Sequence, residues 1–184
     1  MHTLLSLFIF SVLVSTNSFG MNIVVSAFDP FDGNKKNNSQ AILKLLINEF
    51  EGSEYRLHEC QLPTKYDKSF FKLEDCINAL DIKPDYIISL GEGRCVDGLT
   101  IETRAMNLDD SEDGDNDGIA RVNSLIYPDG ESALGLTLPL QKAYCGLSRK
   151  LRRKIIISQS GSNFVCNNLM YHSCLLYTSP SPRD

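Results

Sequence analysis

The 184 residues carry 18 Lys and Arg against 23 Asp and Glu, a formal net charge of −5, with 42% hydrophobic and 22% charged side chains. A chain of this length and apolar content fits one soluble domain with a single core. The acidic balance argues against a nucleic-acid surface, and the one long apolar run, residues 4–14, is too short to span a bilayer.

That run opens the chain. It is followed by Ser18-Phe19-Gly20, a small-x-small pattern before Met21, so residues 1–20 read as a signal peptide. No Lys or Arg precedes the run, and Met21 as a true start is the alternative. "MNIVVSAF" (21–28) is an apolar β-branched run and predicts a buried strand. "DPFDGNKKNN" follows as a loop rich in turn formers. Ser39 is placed to cap a helix whose apolar face is Ile42, Leu43, Leu46, Ile47 and Phe50. "YRLHECQL" (55–62) predicts a second strand, and Phe70, Leu73, Ile77 and Leu80 mark a second helix that stops before Pro84. "DYIISLGEG" (85–93) is a third strand running into a glycine turn, and "LTIETRAMN" (99–107) a further extended segment. Residues 109–130 are acidic and loop-like. A helix over 140–151 leads into a strand over 154–158, a small polar turn at 160–162, and a helix beginning near Cys166. The last eleven residues, "CLLYTSPSPRD", resemble the translation of a sequencing adaptor, an expected fusion scar that would leave 21–173 as the domain proper; a disordered polar terminus is the alternative.

Strands alternating with helices predict an α/β domain, a three-layer helix/sheet/helix sandwich around a mostly parallel twisted sheet. Sites in such sheets lie beyond the carboxyl ends of strands. Three exits carry unusual chemistry: 28–33, 91–94 and 158–166. Cys166 in the first turns of a helix capped by Ser162 or Asn163 is either a nucleophile, its thiol acidified by the helix N-terminus, or a buried structural cysteine. Glu102 either orients a histidine at a cleft or is an exposed strand charge beside Arg104. Phe28 and Phe31 flank the rigid Asp29-Pro30 turn, as walls for a flat neutral ligand or as core packing. "DGDNDG" (113–118) matches the first half of a calcium loop, but the twelfth position is Ser124, where a bidentate Glu is required. "GEGR" (91–94) is a weak phosphate-loop match, and Asn37-Asn38-Ser39 is a glycosylation sequon. Six cysteines, five without the tail, include no C-x-x-C pair; neither a zinc site nor a disulfide scaffold is expected.

In combination these segments resemble pyroglutamyl peptidase I, the pyrrolidone-carboxylate cysteine peptidases. "VVSAFDPFDG" is similar to the family's first-strand signature and "PDYIISLGEGR" to its Pro-Asp-strand-Gly segment. "IETRAMN" resembles the segment bearing the catalytic Glu, with Asn107 five residues on. "SQSGSNFVCNNLMY" resembles the nucleophile segment, and "LTLPL" (136–140) a stretch before a helix. The resemblance runs from Met21 to about His172. It implies that Cys166 is the nucleophile and Glu102 the histidine-orienting acid. It also implies that Phe28 and Phe31 hold the pyroglutamyl lactam, with Glu92 nearby where the family often has Gln. It implies a pyroglutamyl peptide as substrate, no cofactor or metal, a homo-oligomer of tetrameric type, and a cytoplasmic enzyme; the leader implies secretion instead.

Departures from the pattern are Ser26-Ala27 for Thr-Gly, Asp32 for the first Gly and Asn38 for Pro. The family histidine lies roughly two dozen residues beyond the cysteine, the general base such a triad requires. The histidines of this chain are His2, His58 and His172. His172, six residues past Cys166 on one helix, faces another way, and His58 has no motif match. The expectation is therefore an incomplete triad, with the last helix and strand of the fold missing and a chain that is inactive and poorly stable. A non-catalytic homologue that binds pyroglutamyl peptides, and a secreted calcium-binding protein, are the alternatives.

Overall fold

A computed structural model describes residues 20–93, 98–136, 140–159 and 163–178. The leader residues 1–19, Arg94, residues 137–139 of "LTLPL", the 160–162 turn and the tail from 179 lie outside the described residues. At the centre, β1 (Met21–Phe28) runs parallel between β2 (Tyr55–Leu62) and β3 (Tyr86–Leu90), in the order β2-β1-β3. Its continuous apolar run suits a strand buried on both faces. Val24 and Phe28 point into one cluster with Cys60, Leu62, Leu73, Val165 and Leu169; Val25 and Ala27 point into another with Leu43. Accordingly α1 (Asn38–Glu49) covers one face, while α2 (Lys68–Asn78) and α5 (Val165–Thr178) cover the other. The three-layer sandwich predicted from the alternation is present.

Beyond this sheet, β4 (Leu99–Glu102) pairs in parallel with β9 (Ile155–Ser158). Two antiparallel pairs follow: β5 (Arg104–Met106) with β8 (Ala133–Gly135), and β6 (Asp109–Ser111) with β7 (Arg121–Ser124). The acidic stretch read as loop is thus partly a hairpin. The helix expected over 140–151 is two pieces, α3 (Leu140–Gly146) and α4 (Arg149–Arg152), because the Ser148 hydroxyl accepts from Leu151 N and starts the chain afresh. Arg149, Lys150, Arg152, Arg153 and Lys154 make this a local basic run inside an acidic chain. α5 continues through Thr178, so the first five residues of the tail segment are helical.

Two further readings change. The cap of α1 is Asn37, not Ser39: its Oδ1 accepts from Ser39 N at 2.9 Å and Ser39 Oγ at 2.6 Å, and its Nδ2 donates to Asp29 O at 3.0 Å. With that amide buried and bonded, the sequon has no glycan acceptor to offer. Cys60 of β2 and Cys76 of α2 form a disulfide, Cα to Cα 6.0 Å, although the cysteine count gave no reason to expect one. Closing a loop of this size stabilises by about 3 kcal/mol. A Cys60→Ser/Cys76→Ser variant is expected to lose about that much in urea unfolding, and reductant to do the same to the wild-type chain. Equal midpoints with and without reductant would show the bridge to be energetically idle.

Candidate active site

The site forms where two strands end and a helix begins. β3 delivers Gly91, β4 delivers Glu102, and α5 begins one residue before Cys166. A methyl group on Gly91 would lie 3.0 Å from Cys166 Sγ, so the thiol rests directly on the glycine backbone. Cys166 is partly buried against the core cluster that contains Phe28. Burial pushes its thiol up to about 12, and the negative charge of Glu102 adds to that. The helix terminus therefore does not win at this cysteine: desolvation outweighs it.

The aromatic residues divide. Phe28 is 3% exposed, a core ring beneath the site rather than an open wall. Phe31 is only partly buried and sits 6.3 Å from Phe164, the ring two residues before Cys166. Phe164 in turn meets Tyr66 edge-on at 5.6 Å. Phe164 was passed over in the sequence because it precedes the cysteine by two and shows no periodicity of its own. Glu92 is spent on α1: Oε2 accepts from Asn38 N at 2.9 Å and Oε1 from Asn38 Nδ2 at 2.7 Å. A carboxylate at a helix N-terminus is favourably placed there, so the structure gives Glu92 a tethering contact where the sequence offered a ligand contact.

The loop bearing Phe31 is fixed by the acidic loop. Asp29 Oδ1 accepts from Thr64 N at 2.6 Å and from Asn116 Nδ2 at 3.0 Å, and Asn116 Nδ2 also donates to Pro30 O at 2.9 Å. Asp115 is buried and accepts from the backbone amides of Tyr66, Asp117 and Ile119. Asp117 bridges Lys65 and Lys68, each at 2.6 Å. The calcium-loop reading fails on these contacts, since carboxylates it requires are bonded to amides and ammonium groups. Among the described residues no cluster of three or more His, Cys, Asp or Glu could hold a metal ion.

The helix carrying Cys166 is held from behind by side chains the sequence did not flag. Asn167 is fully buried; its Oδ1 accepts from Met106 N at 2.8 Å and its Nδ2 donates to Met106 O and Leu108 O. Asn168 Nδ2 donates to Asp109 Oδ2 at 2.8 Å. Arg121 joins Asp109 at 3.0 Å to Asp67 at 2.5 Å and stacks over the Tyr66 ring. Its guanidinium holds Asp67 below the usual carboxylate range, whereas burial pushes Asp109 up in spite of the same guanidinium. Asn107, noted in the sequence, clips the 127–130 turn through Tyr127 N, Tyr127 O and Gly130 O.

The two described histidines make their contacts with other residues. His172 stacks on Phe70 at 4.9 Å with Nε2 3.8 Å from Asp67, and burial pushes its imidazole below the usual range. His58 Nε2 lies 3.2 Å from Asn22 Oδ1, at the far end of β1 from the site.

Three outcomes follow from this geometry. In a Cys95→Ser/Cys145→Ser/Cys174→Ser background, Cys166 alkylation by iodoacetamide should rise about tenfold per pH unit from pH 7 to 10 without levelling. A plateau near neutrality would show that the thiolate already exists. Gly91→Ala should displace Sγ and slow that alkylation at least about tenfold at one pH, because the added carbon meets the sulfur. Arg121→Met leaves Asp109 buried without its cation and should cost about 3 kcal/mol in denaturant unfolding. A loss below about 1 kcal/mol, the level of an exposed pair, would show that water takes over the role of the guanidinium.

Comparison with known proteins agrees with this architecture. The family model described as pyroglutamyl peptidase matches residues 21–183. The pyrrolidone-carboxylate peptidase of Fusobacterium nucleatum is 37% identical over 149 residues, 81% of this chain and 67% of that protein. Pyrrolidone-carboxylate peptidase 1 of Streptococcus pneumoniae is 37% identical over 162 residues, 88% of this chain and 73% of that one. Among solved structures, pyroglutamyl peptidase I of Bacillus amyloliquefaciens superposes with a TM-score of 0.75 at 26% identity, covering 86% of this chain and 75% of its own. The pyrrolidone carboxyl peptidase of Fervidobacterium islandicum gives 0.76 at 28% identity, covering 89% and 77%. With the nucleophile segment, the glycine turn and the acidic strand brought to one sheet end, the chain belongs to the pyroglutamyl peptidase family of cysteine peptidases.

Proposed function

We propose that Cys166 is the nucleophile of a thiol exopeptidase that removes an N-terminal pyroglutamyl residue, with Glu102 orienting the histidine that activates it. The observation that carries this is the convergence of Gly91, Glu102 and Cys166, with Glu102 close enough to raise the pKa of the thiol. A carboxylate near a thiol keeps the proton on sulfur. The same carboxylate stabilises an imidazolium placed between them. The pair is therefore unproductive alone and productive around a histidine. In the reaction the thiolate attacks the pyroglutamyl carbonyl and the imidazolium protonates the departing amine. The imidazole then takes a proton from water, whose oxygen displaces the thiolate and frees pyroglutamate. Pyroglutamate carries no ammonium, so a pocket of rings suits it; Phe31 and Phe164 form the side wall and Phe28 the floor.

The two described histidines, His58 and His172, make their contacts elsewhere, so on this reading Cys166 turns over substrate only when a histidine other than these two stands beside Glu102. The Cys60–Cys76 bridge favours the exported alternative, since such bonds persist in oxidising compartments.

The test is a chimera in which the residues after His172 are replaced by the corresponding C-terminal segment of the Streptococcus pneumoniae enzyme, assayed on pyroglutamyl-aminomethylcoumarin. The chimera should turn over while the parent chain does not. Cys166→Ala in the chimera should cut kcat at least about a thousandfold, and Glu102→Gln about a hundredfold. A chimera that folds and binds the substrate without cleaving it would install the non-catalytic binder in its place.

A further inference from the structure

Charge is unevenly spread along this chain. The formal net charge is −5, yet Arg149, Lys150, Arg152, Arg153 and Lys154 place five of the 18 Lys and Arg within six residues. The segment is a fixed turn. Ser148 Oγ accepts from Leu151 N at 3.3 Å. Arg152 N donates to Ser148 O at 3.0 Å, Arg153 N to Arg149 O at 3.3 Å and Lys154 N to Leu151 O at 2.9 Å. Lys154 O accepts from Leu99 N at 3.0 Å, which ties the run to the start of β4. Residues three and four apart on a helical turn are neighbours, so Arg149 neighbours Arg152 and Arg153, and Lys150 neighbours Arg153 and Lys154. Like charges at these spacings repel and destabilise the turn. No acid of the chain relieves them: none of the five is in an ion pair with a described residue, while Asp67, Asp109 and Asp117 draw on Arg121, Lys65 and Lys68. Arg149, Lys150, Arg153 and Lys154 are exposed, and among them Leu151 is 51% exposed. Cations crowded around an apolar side chain, with no counter-charge of their own, fit a partner that has anions at its surface and an apolar layer beneath them.

We propose that the 149–154 run is a membrane-attachment site that takes anionic phospholipid headgroups, with Leu151 seated at the acyl boundary. A soluble polyanion is the weaker fit. A nucleic acid or heparin chain follows a basic track. This run is one turn long, preceded by the uncharged residues 143–148 and followed by the apolar strand β9. Lipid headgroups diffuse and gather at a compact point, and a free polyanion makes no use of Leu151. The place of the run in the fold decides what attachment does. The run adjoins the amino end of β9, whereas Glu102 closes β4 opposite Ser158, at the carboxyl end of β9. Those two ends are about 10 Å apart along the strand. Attachment through the run therefore turns the strand ends beside Cys166 away from the bilayer, open to peptides in solution.

The experiment floats the full 184-residue chain with vesicles of phosphatidylcholine, alone or mixed with phosphatidylserine, at low and high salt. Binding is expected on the anionic vesicles, and is expected to fall as salt rises. An Arg149→Gln/Lys150→Gln/Arg153→Gln variant changes exposed side chains outside the core, and should bind the anionic vesicles about a hundredfold more weakly. Leu151→Ser is the independent second variant. It should weaken vesicle binding at least about threefold while leaving retention on immobilised heparin unchanged. Lys150→Arg, which keeps the charge, should bind like the wild-type chain. Absence of flotation with anionic vesicles overturns the proposal. So does flotation unaffected by the triple variant. Equal flotation with neutral vesicles would assign the contact to the apolar run of residues 4–14. Retention on heparin without flotation would assign the basic run to a soluble polyanion. Either result also overturns the proposal. No readout depends on peptide hydrolysis, so attachment is decided separately from catalysis.

Discussion

The position of Cys166 depends on one carboxamide. Asn167 behaves like a piece of neighbouring strand: its oxygen takes the Met106 amide proton and its nitrogen serves the carbonyls of Met106 and Leu108. A primary amide has one acceptor group and two donor hydrogens, and here all are used in a fully buried place. Such a contact is demanding, because a partial replacement leaves backbone groups without partners in a dry interior. It joins a helix to an irregular segment that two short antiparallel pairs would otherwise hold loosely. The adjacent Asn168 extends the same fastening to Asp109, and through Arg121 to Asp67 at the start of α2. The helix that bears the thiol is thus fixed in rotation as well as in position.

That rigidity explains why the electrostatics come out as they do. A thiol at a helix N-terminus in contact with water is acidified. Here the helix is pressed against the apolar cluster shared by Phe28, Leu62 and Leu169, and the nearby charge is negative. In the reading proposed above, the proton-holding sulfur and the Glu102 carboxylate would act on either side of an imidazole, and the glycine surface leaves room for the sulfur.

The sequence disclosed the parts whose signals are local. The first two strands were legible to the residue: β1 through a β-branched run, and β2, which has no β-branched residue, through its bounds at Gly52-Ser53 and Pro63. Cys166, Glu102 and the glycine turn were singled out by their resemblance to the family's motifs, since strand ends and helix starts alone left each with a structural alternative. The hairpin of Asp109–Ser111 and Arg121–Ser124 was not, since acidic residues carry little strand preference and the partners that hold them extended, Arg121 and Asn168 on Asp109 and the pairing itself, are distant in sequence. Asp115 and Asp117 gave a false signal for the same reason: a run of carboxylates looks alike whether it faces a cation, an ammonium group or a row of amides. The contact of Glu92 with Asn38, 54 residues away in sequence, left no local pattern to read. The basic run from Arg149 to Lys154 vanished in the overall charge. Contacts between distant positions, such as Arg121 with Asp67, leave no periodicity to read.

One consequence reaches beyond catalysis. The Cys60–Cys76 bridge and the Cys166 thiol belong to the same apolar cluster. Thiolates attack disulfides, and a reactive thiolate lodged near a structural bridge is a standing risk of reshuffled cross-links. A sulfur that keeps its proton is a poor attacker and a slow substrate for oxidants. The burial that keeps the proton on Cys166 therefore also protects the chain's own cross-link from exchange.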